Sequence, residues 1–342
     1  MTSQRSGFLV VLTVVTAMLA SAACSARGDA RPPADLEKPD LTVAVVPTTD
    51  STGFFVALYE GLFAQQGLHI TYKAVSSGEA SVNKQALGQY DVLDGSYVTD
   101  INAQVNWDNG VRPVDVAKPS VSQIAADLDF IARASVMRQD AVGLFTLPGS
   151  PIRTAADLRG KTIGINAPGN VAFLLVEQFL SANGISPQSV RFKYFPFPDM
   201  TRMMLEHKID VAFLAEPFVS IAEEAVGVSE LSNLDAGAAQ AFPMRGYTVT
   251  KQFAHRYPRT LAAFERALQQ GQEIADTDRH TAELAMEAFK ATDGVTSQIA
   301  AIMTYDSYPV GPVDSTDIQR VADDMVQYGL LKHRFDVRQM IG

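Results

Sequence analysis

Five short polar turns carry the side chains that could hold a small molecule. Each turn follows a predicted strand, and a helical segment begins close behind it. Hydroxyl, amide and carboxylate groups at such positions, together with the free backbone amides of helix N-termini, suit hydrogen bonding to a ligand more than chemistry on one. The candidate ligand-binding residues are Thr49, Asp50, Ser51, Ser77, Gly78, Ser96, Tyr97, Gly169, Asn170, Val171 and Glu216.

Helix capping and core packing are the competing roles for several of these residues. The turn at residues 48–52 needs one polar residue as a helix cap and offers five. Ser76 and Glu79 fit a capping box, which leaves Ser77 freer to meet a ligand. Tyr97 has two roles open to it, stacking on a planar ligand or simple packing.

The charged and amide-rich turns bear on the charge of the ligand. As ligand contacts, Asp50 and Glu216 would accept hydrogen bonds from amine or amide donors, which favours a neutral or cationic ligand. Glu216 also fits an ordinary solvated acid at the start of a helix, a position that the helix dipole favours. The free amides near Gly169 and Asn170 would instead suit an anionic or carbonyl group. The charge of the ligand therefore stays open.

The composition disfavours catalysis, metal binding and nucleic-acid binding. The five histidines are scattered without the spacing of a metal site. The chain has neither a phosphate-binding Gly-Lys-Ser/Thr loop nor a complete nucleophile elbow. The formal net charge of -10 lacks the basic footprint that nucleic acid requires. We therefore expect no enzyme, no catalytic residue, no metal and no cofactor.

The N-terminus has the layout of an export signal. Arg5 precedes a short apolar run, and small residues lead to Cys24, the only cysteine. We expect a signal peptide at residues 1–23, lipid modification of Cys24 with acyl chains such as palmitate, and a tether at residues 24–39. The alternative is plain secretion after cleavage near Ala22 or Ala23. The apolar run is too short for a permanent membrane span.

Two strand–turn–helix units predict the fold class. The first begins at residues 41–47 and the second at residues 161–168, far along the chain. Two such units favour an α/β fold with two lobes, in which the N-termini of the helices point into a shared cleft. Ligands of such folds bind at the carboxyl ends of the strands.

A set of motifs runs in order along the chain. The motifs are Pro47 with residues 53–57, 60–63 and 67–68, then 77–80, 88–92, 157–165, 210–217 and 253–258. Their order and spacing resemble the nitrate/sulfonate/taurine family of ABC-transporter substrate-binding proteins, which shares its fold with thiamine-pyrimidine precursor binders and synthases. The resemblance implies a type II periplasmic-binding-protein clamshell with two crossover segments. It also implies lobe one at residues 40–137 plus 246–342, and lobe two at residues 138–245.

The resemblance also implies the biological role and the partners. We expect a monomeric, lipid-anchored solute-binding protein outside the cytoplasm that delivers a small organic molecule to an ABC permease in the cytoplasmic membrane. The alternatives are an exported enzyme of the same fold and a sensor-coupled binding protein. The single cysteine disfavours the synthases, which carry a cysteine-rich motif. The turn at residues 168–171 replaces the Ser/Thr-rich turn frequent in the family, which disfavours a sulfonate or nitrate ligand.

Overall fold

The computed structural model describes residues 35–289 and 294–342. The expected signal peptide, the lipidation site Cys24 and the tether as far as residue 34 lie outside the described residues. Within the described ranges, every helix is too short or too polar to cross a membrane.

The described residues form two five-stranded sheets. The first sheet has the order β2-β1-β3-β10-β4, and the second has the order β7-β6-β8-β5-β9. The strands are β1 Asp40–Val45, β2 His69–Ala74, β3 Val92–Ser96, β4 Leu128–Val136, β5 Val142–Thr146, β6 Thr162–Ile165, β7 Arg191–Tyr194, β8 Val211–Ala215, β9 Ser229–Asn233 and β10 Pro243–Thr250.

Both sheets are mixed and follow the same plan. In the first, β1 pairs in parallel with β2 and β3, while β10 runs antiparallel to β3 and β4. In the second, β6 pairs in parallel with β7 and β8, while β5 runs antiparallel to β8 and β9. The chain passes between the sheets at residues 137–141 and 234–242. The return strand begins at Pro243, so Arg245 belongs to the first sheet, whereas the resemblance implies that it ends lobe two.

Helices pack against the two sheets. Their bounds are α1 Thr52–Tyr59, α2 Leu62–Gln65, α3 Glu79–Ala86, α4 Tyr97–Asp108, α5 Val171–Ala182, α6 Phe197–Leu205, α7 Phe218–Val226, α8 Lys251–Arg256, α9 Pro258–Thr277, α10 Arg279–Ala288, α11 Ser297–Ile302 and α12 Ser315–Gln327.

Burial explains why the central strands read as continuous apolar runs. All five residues of β5 and of β8 are buried, as expected where helices cover both faces of a sheet. The outer strand β7 is mostly exposed and carries charged residues. One apolar core lies where the first sheet packs against α1, α9 and α10. A second apolar core includes the buried residues of the second sheet and continues to α4 and α12.

The last residues of the expected tether are held by the folded chain. Glu37 accepts hydrogen bonds from Arg259 Nε at 2.9 Å and from the Thr260 amide at 3.0 Å. Lys38 forms an ion pair with Asp91. The part of the expected tether from Glu37 onward is therefore bound to the folded chain.

The packing of α1 on α9 depends on a glycine. A Cβ added at Gly271 would lie 2.4 Å from the Gly53 carbonyl oxygen and 2.8 Å from the Ala57 amide nitrogen. Both are backbone atoms, so the two helices would have to separate. Gly271→Ala should therefore lower the free energy of unfolding by about 1–3 kcal/mol, although alanine is the better helix former.

Urea denaturation measures this change. The matched control is Gln270→Ala, an exposed position on the same helix, which should stay within about 0.5 kcal/mol of the parent. A Gly271→Ala protein as stable as the parent would contradict the close approach of α1 and α9.

Candidate functional site

A small cavity lies between the two sheets at the carboxyl ends of their strands. The first sheet contributes Val46, Thr48 and Ser96, and the second contributes Asn166 and Ala215. Its volume is about 30 Å³, room for one or two water molecules and well below the ~300 Å³ or more of a typical ligand pocket. The structure therefore has a tightly closed cleft. The remaining wall residues are Asp50, Gly78, Glu79, Thr99, Asn170, Val171, Ala172, Phe197, Phe213, Met244 and Arg245.

The structure brings five of the sequence-predicted site residues onto this wall. They come from four of the five predicted turns, and both lobes contribute. They are Asp50, Gly78, Ser96, Asn170 and Val171. The other six, Thr49, Ser51, Ser77, Tyr97, Gly169 and Glu216, are not part of the wall, and the role of all eleven as ligand contacts stays a prediction.

Two residues on the wall also cap helices. The Asn170 side-chain oxygen accepts from the Phe173 amide at 3.1 Å and begins α5. Ser96 Oγ accepts from the Thr99 amide at 3.2 Å and begins α4. Capping fixes these side chains at the cavity, because each is held by the helix that it starts.

The turn after β1 is tied to its own lobe. Thr49 Oγ1 donates to Asp306 Oδ2 at 2.8 Å, and Tyr308 donates to the Thr49 carbonyl oxygen at 2.8 Å. Ser51 donates to the Val46 carbonyl oxygen at 2.9 Å. Thr49 and Ser51 therefore shape the turn from behind while Asp50 faces the cavity.

Tyr97 packs in the core. Its side chain is 2% exposed, and its ring stands edge-on to Phe130 with centroids 5.1 Å apart. A Cβ added at Gly246 would touch the same ring at 2.7 Å, so the glycine makes room for it. Tyr97 therefore has the packing that one of its two roles requires, and its contact with a ligand stays a prediction.

Glu216 joins the two lobes. Its carbonyl oxygen accepts from the Thr49 amide at 3.0 Å, and its Oε1 accepts from the Thr304 amide at 3.2 Å. Ser220 also donates to the carboxylate, through its hydroxyl at 2.8 Å and its amide at 3.1 Å. Burial raises the pKa of Glu216, whose hydrogen bonds partly offset that effect. The residue is buried, so the solvated helix-start role is wrong.

A further hydrogen bond joins the two lobes. Asn102 Nδ2 on α4 donates to the Gly169 carbonyl oxygen at 3.2 Å, just before α5. Gly169 has φ +62°, a left-handed conformation that glycine adopts without strain. The backbone of this predicted turn thus faces the other lobe, while its next residue faces the cavity.

A buried ion pair supports the wall of the first lobe. Arg245 Nε on β10 donates to Asp94 Oδ1 on β3 at 2.9 Å, and Nη2 donates to the Asp94 carbonyl oxygen. Ser51 donates to the other carboxylate oxygen. Burial raises the pKa of Asp94 to about 6, even with the guanidinium beside it.

Two further acids are buried near Arg245, and sequence reasoning missed their roles. The predicted capping box is wrong: Gly78 is the N-cap of α3 without a side-chain bond, and Glu79 Oε1 accepts from Thr99 Oγ1. Asp100 lies over Gly95, where an added Cβ would be 2.5 Å from Asp100 Oδ2. Burial raises the pKa of both acids.

The residues that sequence reasoning missed include two buried charged side chains inside apolar segments. Arg245 follows the buried Met244, and Asp94 follows Leu93 at the end of an apolar strand. A lone charge within such a run is the signal that could have identified them, because buried charges require partners. Across the described ranges, no group of three or more His, Cys, Asp and Glu side chains is arranged to hold a metal ion.

The chain matches a known protein family. The sequence pattern of the NMT1-like family matches residues 34–289. The chain belongs to the NMT1-like family. Among curated proteins, none matches it by sequence.

Solved structures share the fold at low identity. The periplasmic aliphatic sulphonate binding protein SsuA from Escherichia coli is 17% identical, with 88% of this chain and 97% of that chain covered and a TM-score of 0.67. The periplasmic nitrate-binding protein NrtA from Synechocystis PCC 6803 is 13% identical, with 89% of this chain and 85% of that chain covered and a TM-score of 0.70. The Candida albicans CA3427 product, which has the generic periplasmic binding protein fold, is 14% identical, with 89% of this chain and 96% of that chain covered and a TM-score of 0.69.

These matches confirm the predicted fold class and the family resemblance. The chain has the α/β periplasmic-binding-protein fold. SsuA and NrtA are binding proteins rather than enzymes.

Removing the buried guanidinium tests the electrostatics of the site. Arg245→Met should lower the free energy of unfolding by about 3–5 kcal/mol at neutral pH, because Asp94 loses its counter-charge. The pKa of Asp94 in the folded protein already exceeds its ordinary 3.8, and it should rise further. A carboxyl with a higher folded than unfolded pKa loses stability as pH rises between the two. The penalty should therefore shrink as pH falls from about 7 toward 4.

Urea unfolding across this pH range measures the effect. Adding Asp94→Asn to Arg245→Met should recover part of the loss, since it removes the stranded carboxylate. An equal penalty at both ends of the pH range would contradict an electrostatic origin.

Proposed function

We propose that the protein is the solute-binding component of an ABC import system. In this role it captures a small organic molecule between its two lobes and presents it to a permease in the cytoplasmic membrane. The observation that carries the proposal is the closed cavity between two sheets, whose wall takes polar residues from both lobes at the carboxyl ends of their strands. The binding activities of SsuA and NrtA support the same class of function.

Opening and closing of the lobes would be the binding step. The two lobes are connected through the crossovers at residues 137–141 and 234–242, and Glu216 and Asn102 make hydrogen bonds across the cleft. Because a ligand enclosed by both lobes binds the closed form better than the open form, it would shift the population toward closure. The permease would then recognise the closed form.

We also propose a lipid anchor at Cys24 and a location outside the cytoplasm. The support is the sequence alone: small residues precede the only cysteine, and residues 25–36 would connect the lipid to the folded domain. One acyl chain binds a membrane only marginally, so stable anchoring would require several. An anchored binding protein would stay close to a permease in the same membrane.

The binding role is tested first by a thermal-shift screen of sulfonates, thiamine precursors, amino acids and flavins. A ligand of the native state raises the melting temperature. Glu216→Ala should then weaken the binding of the ligand found in this screen, because it removes the hydrogen bond to Thr304 across the cleft. The cost of about 1–2 kcal/mol corresponds to roughly 5- to 30-fold in the ratio of closed to open forms and in affinity.

Small-angle scattering and titration calorimetry measure the two effects. The radius of gyration should fall when ligand saturates the parent, and Glu216→Ala should need more ligand for the same change. The control is Glu224→Gln, an exposed acid on α7, which should leave both unchanged. A constant radius at saturation would count against closure.

The anchor has its own test in cells. Cys24→Ala should move the protein from the membrane to the soluble fraction, because no other residue would carry the lipid. Fractionation and mass spectrometry of the mature N-terminus provide the measurement. Soluble, unmodified parent protein cleaved after Ala22 would contradict the anchor and support plain secretion.

A further inference from the structure

The cavity wall of the first lobe holds more acid than base. The positive charge of Arg245 lowers the pKa of the nearby Glu79, Asp94 and Asp100 carboxyl groups, against the effect of their burial. The charge of Asp50 in turn favours the protonated guanidinium of Arg245. Among the described wall residues Arg245 is the only basic side chain. Its Nε and Nη2 both donate to Asp94. One guanidinium is therefore the only positive charge of the described cavity wall near four carboxyl groups.

Asp94 and Asp50 have partners on both carboxylate oxygens, while Asp100 has none among the described residues but is not part of the cavity wall. Asp94 is bound by Arg245 and Ser51. Asp50 accepts from Thr48 Oγ1 at 2.8 Å on one oxygen and from Ser135 Oγ on the other. Asp100 lies against Gly95 and is not part of the cavity wall.

Glu79 differs from all three. Its side chain lines the cavity and is 4% exposed. Oε1 accepts from Thr99, while Oε2 has no donor at hydrogen-bonding geometry among the described residues. The nearby Ser77 hydroxyl and the amide of Glu79 itself also favour the charged carboxylate, without giving Oε2 a full hydrogen bond. A buried carboxylate oxygen without a donor is costly, and native proteins keep such a group mainly where a ligand or another function uses it.

The opposite wall has a different character. Phe197, Phe213 and Val171 of the second lobe face the cavity, and the two phenylalanine rings lie 6.2 Å apart. These side chains offer apolar contact, and the polar residues of this wall, Asn166 and Asn170, are uncharged amides. A ligand between the walls would meet an acid on one side and aromatic carbon on the other.

We propose that the cleft selects a small organic cation whose protonated nitrogen donates to Glu79 Oε2 and whose apolar body packs on Phe197 and Phe213. This inference rests on the proposed binding function and names its ligand class. A cation would supply the missing donor and balance the acid excess. An anion would instead lie beside Glu79 and Asp50, where like charges repel, and the guanidinium that could attract it is bound to Asp94.

The test uses five probes with one ring and different charges: benzylammonium, benzamidinium, benzamide, benzoate and benzenesulfonate. Thermal shift and titration calorimetry at neutral pH measure their binding to the full chain. The two cations should bind and the two anions should not. Glu79→Gln should weaken the cations by about 10- to 100-fold, since it removes a charge-assisted hydrogen bond. Glu177→Gln, a buried glutamate on α5 away from the cavity, should leave their affinity unchanged.

Each other outcome overturns a defined part of the inference. Preference for benzoate or benzenesulfonate in the parent would overturn the cationic class while the binding function stands, and it needs no variant that might fail to fold. Unchanged cation binding in Glu79→Gln would overturn the role of Glu79. Absence of binding by every probe, together with no hit in the wider screen, would contradict the binding function and the ligand class alike.

Discussion

The ion pair between Arg245 and Asp94 holds the site together. Arg245 is opposite Ser96 on β3 and Ser135 on β4, so the chain returning from the second lobe enters the first sheet between these strands. Asp94 also accepts from Ser51, which belongs to the turn after β1. The turn after β1, the end of β3 and the start of β10 therefore meet at one carboxylate. Because these three segments contribute to the first-lobe side of the cavity wall, the shape of the cavity depends on this contact.

Such a pair contributes little net stability by itself, since desolvation of both charges offsets much of their attraction. The pair instead fixes the position of β10 relative to β3. The guanidinium is held by its two bonds to Asp94, and the neighbouring acids must be accommodated around it. Burial raises the pKa of Glu79, Asp94 and Asp100. Retaining several acids in one buried region lowers stability, which is the usual compromise at a binding site.

Local patterns in the sequence predicted the parts of the fold that local physics controls. The apolar runs became β1, β6 and β8, and Asn170 begins α5 as a cap. The partners of the site residues were beyond such reasoning because they lie far along the chain. Glu79 looked like a capping residue for its own helix, yet it accepts from Thr99, 20 positions away. Arg245 and Asp94 are 151 positions apart, and only the folded sheet brings them together.

The two walls of the cleft suggest an order of events in binding. The first lobe holds the charged and hydroxyl groups, which are fixed by contacts within that lobe, and could therefore orient a ligand before closure. The second lobe adds Phe197, Phe213 and Val171, whose apolar surface lines the cavity. Burial of apolar area contributes about 25 cal/mol per Å², so closure would draw on the second lobe for affinity. Selectivity would come from the first lobe, where an unmatched charge is costly. Glu216 links the two steps, because its bonds to Thr49 and Thr304 exist only when the lobes are together.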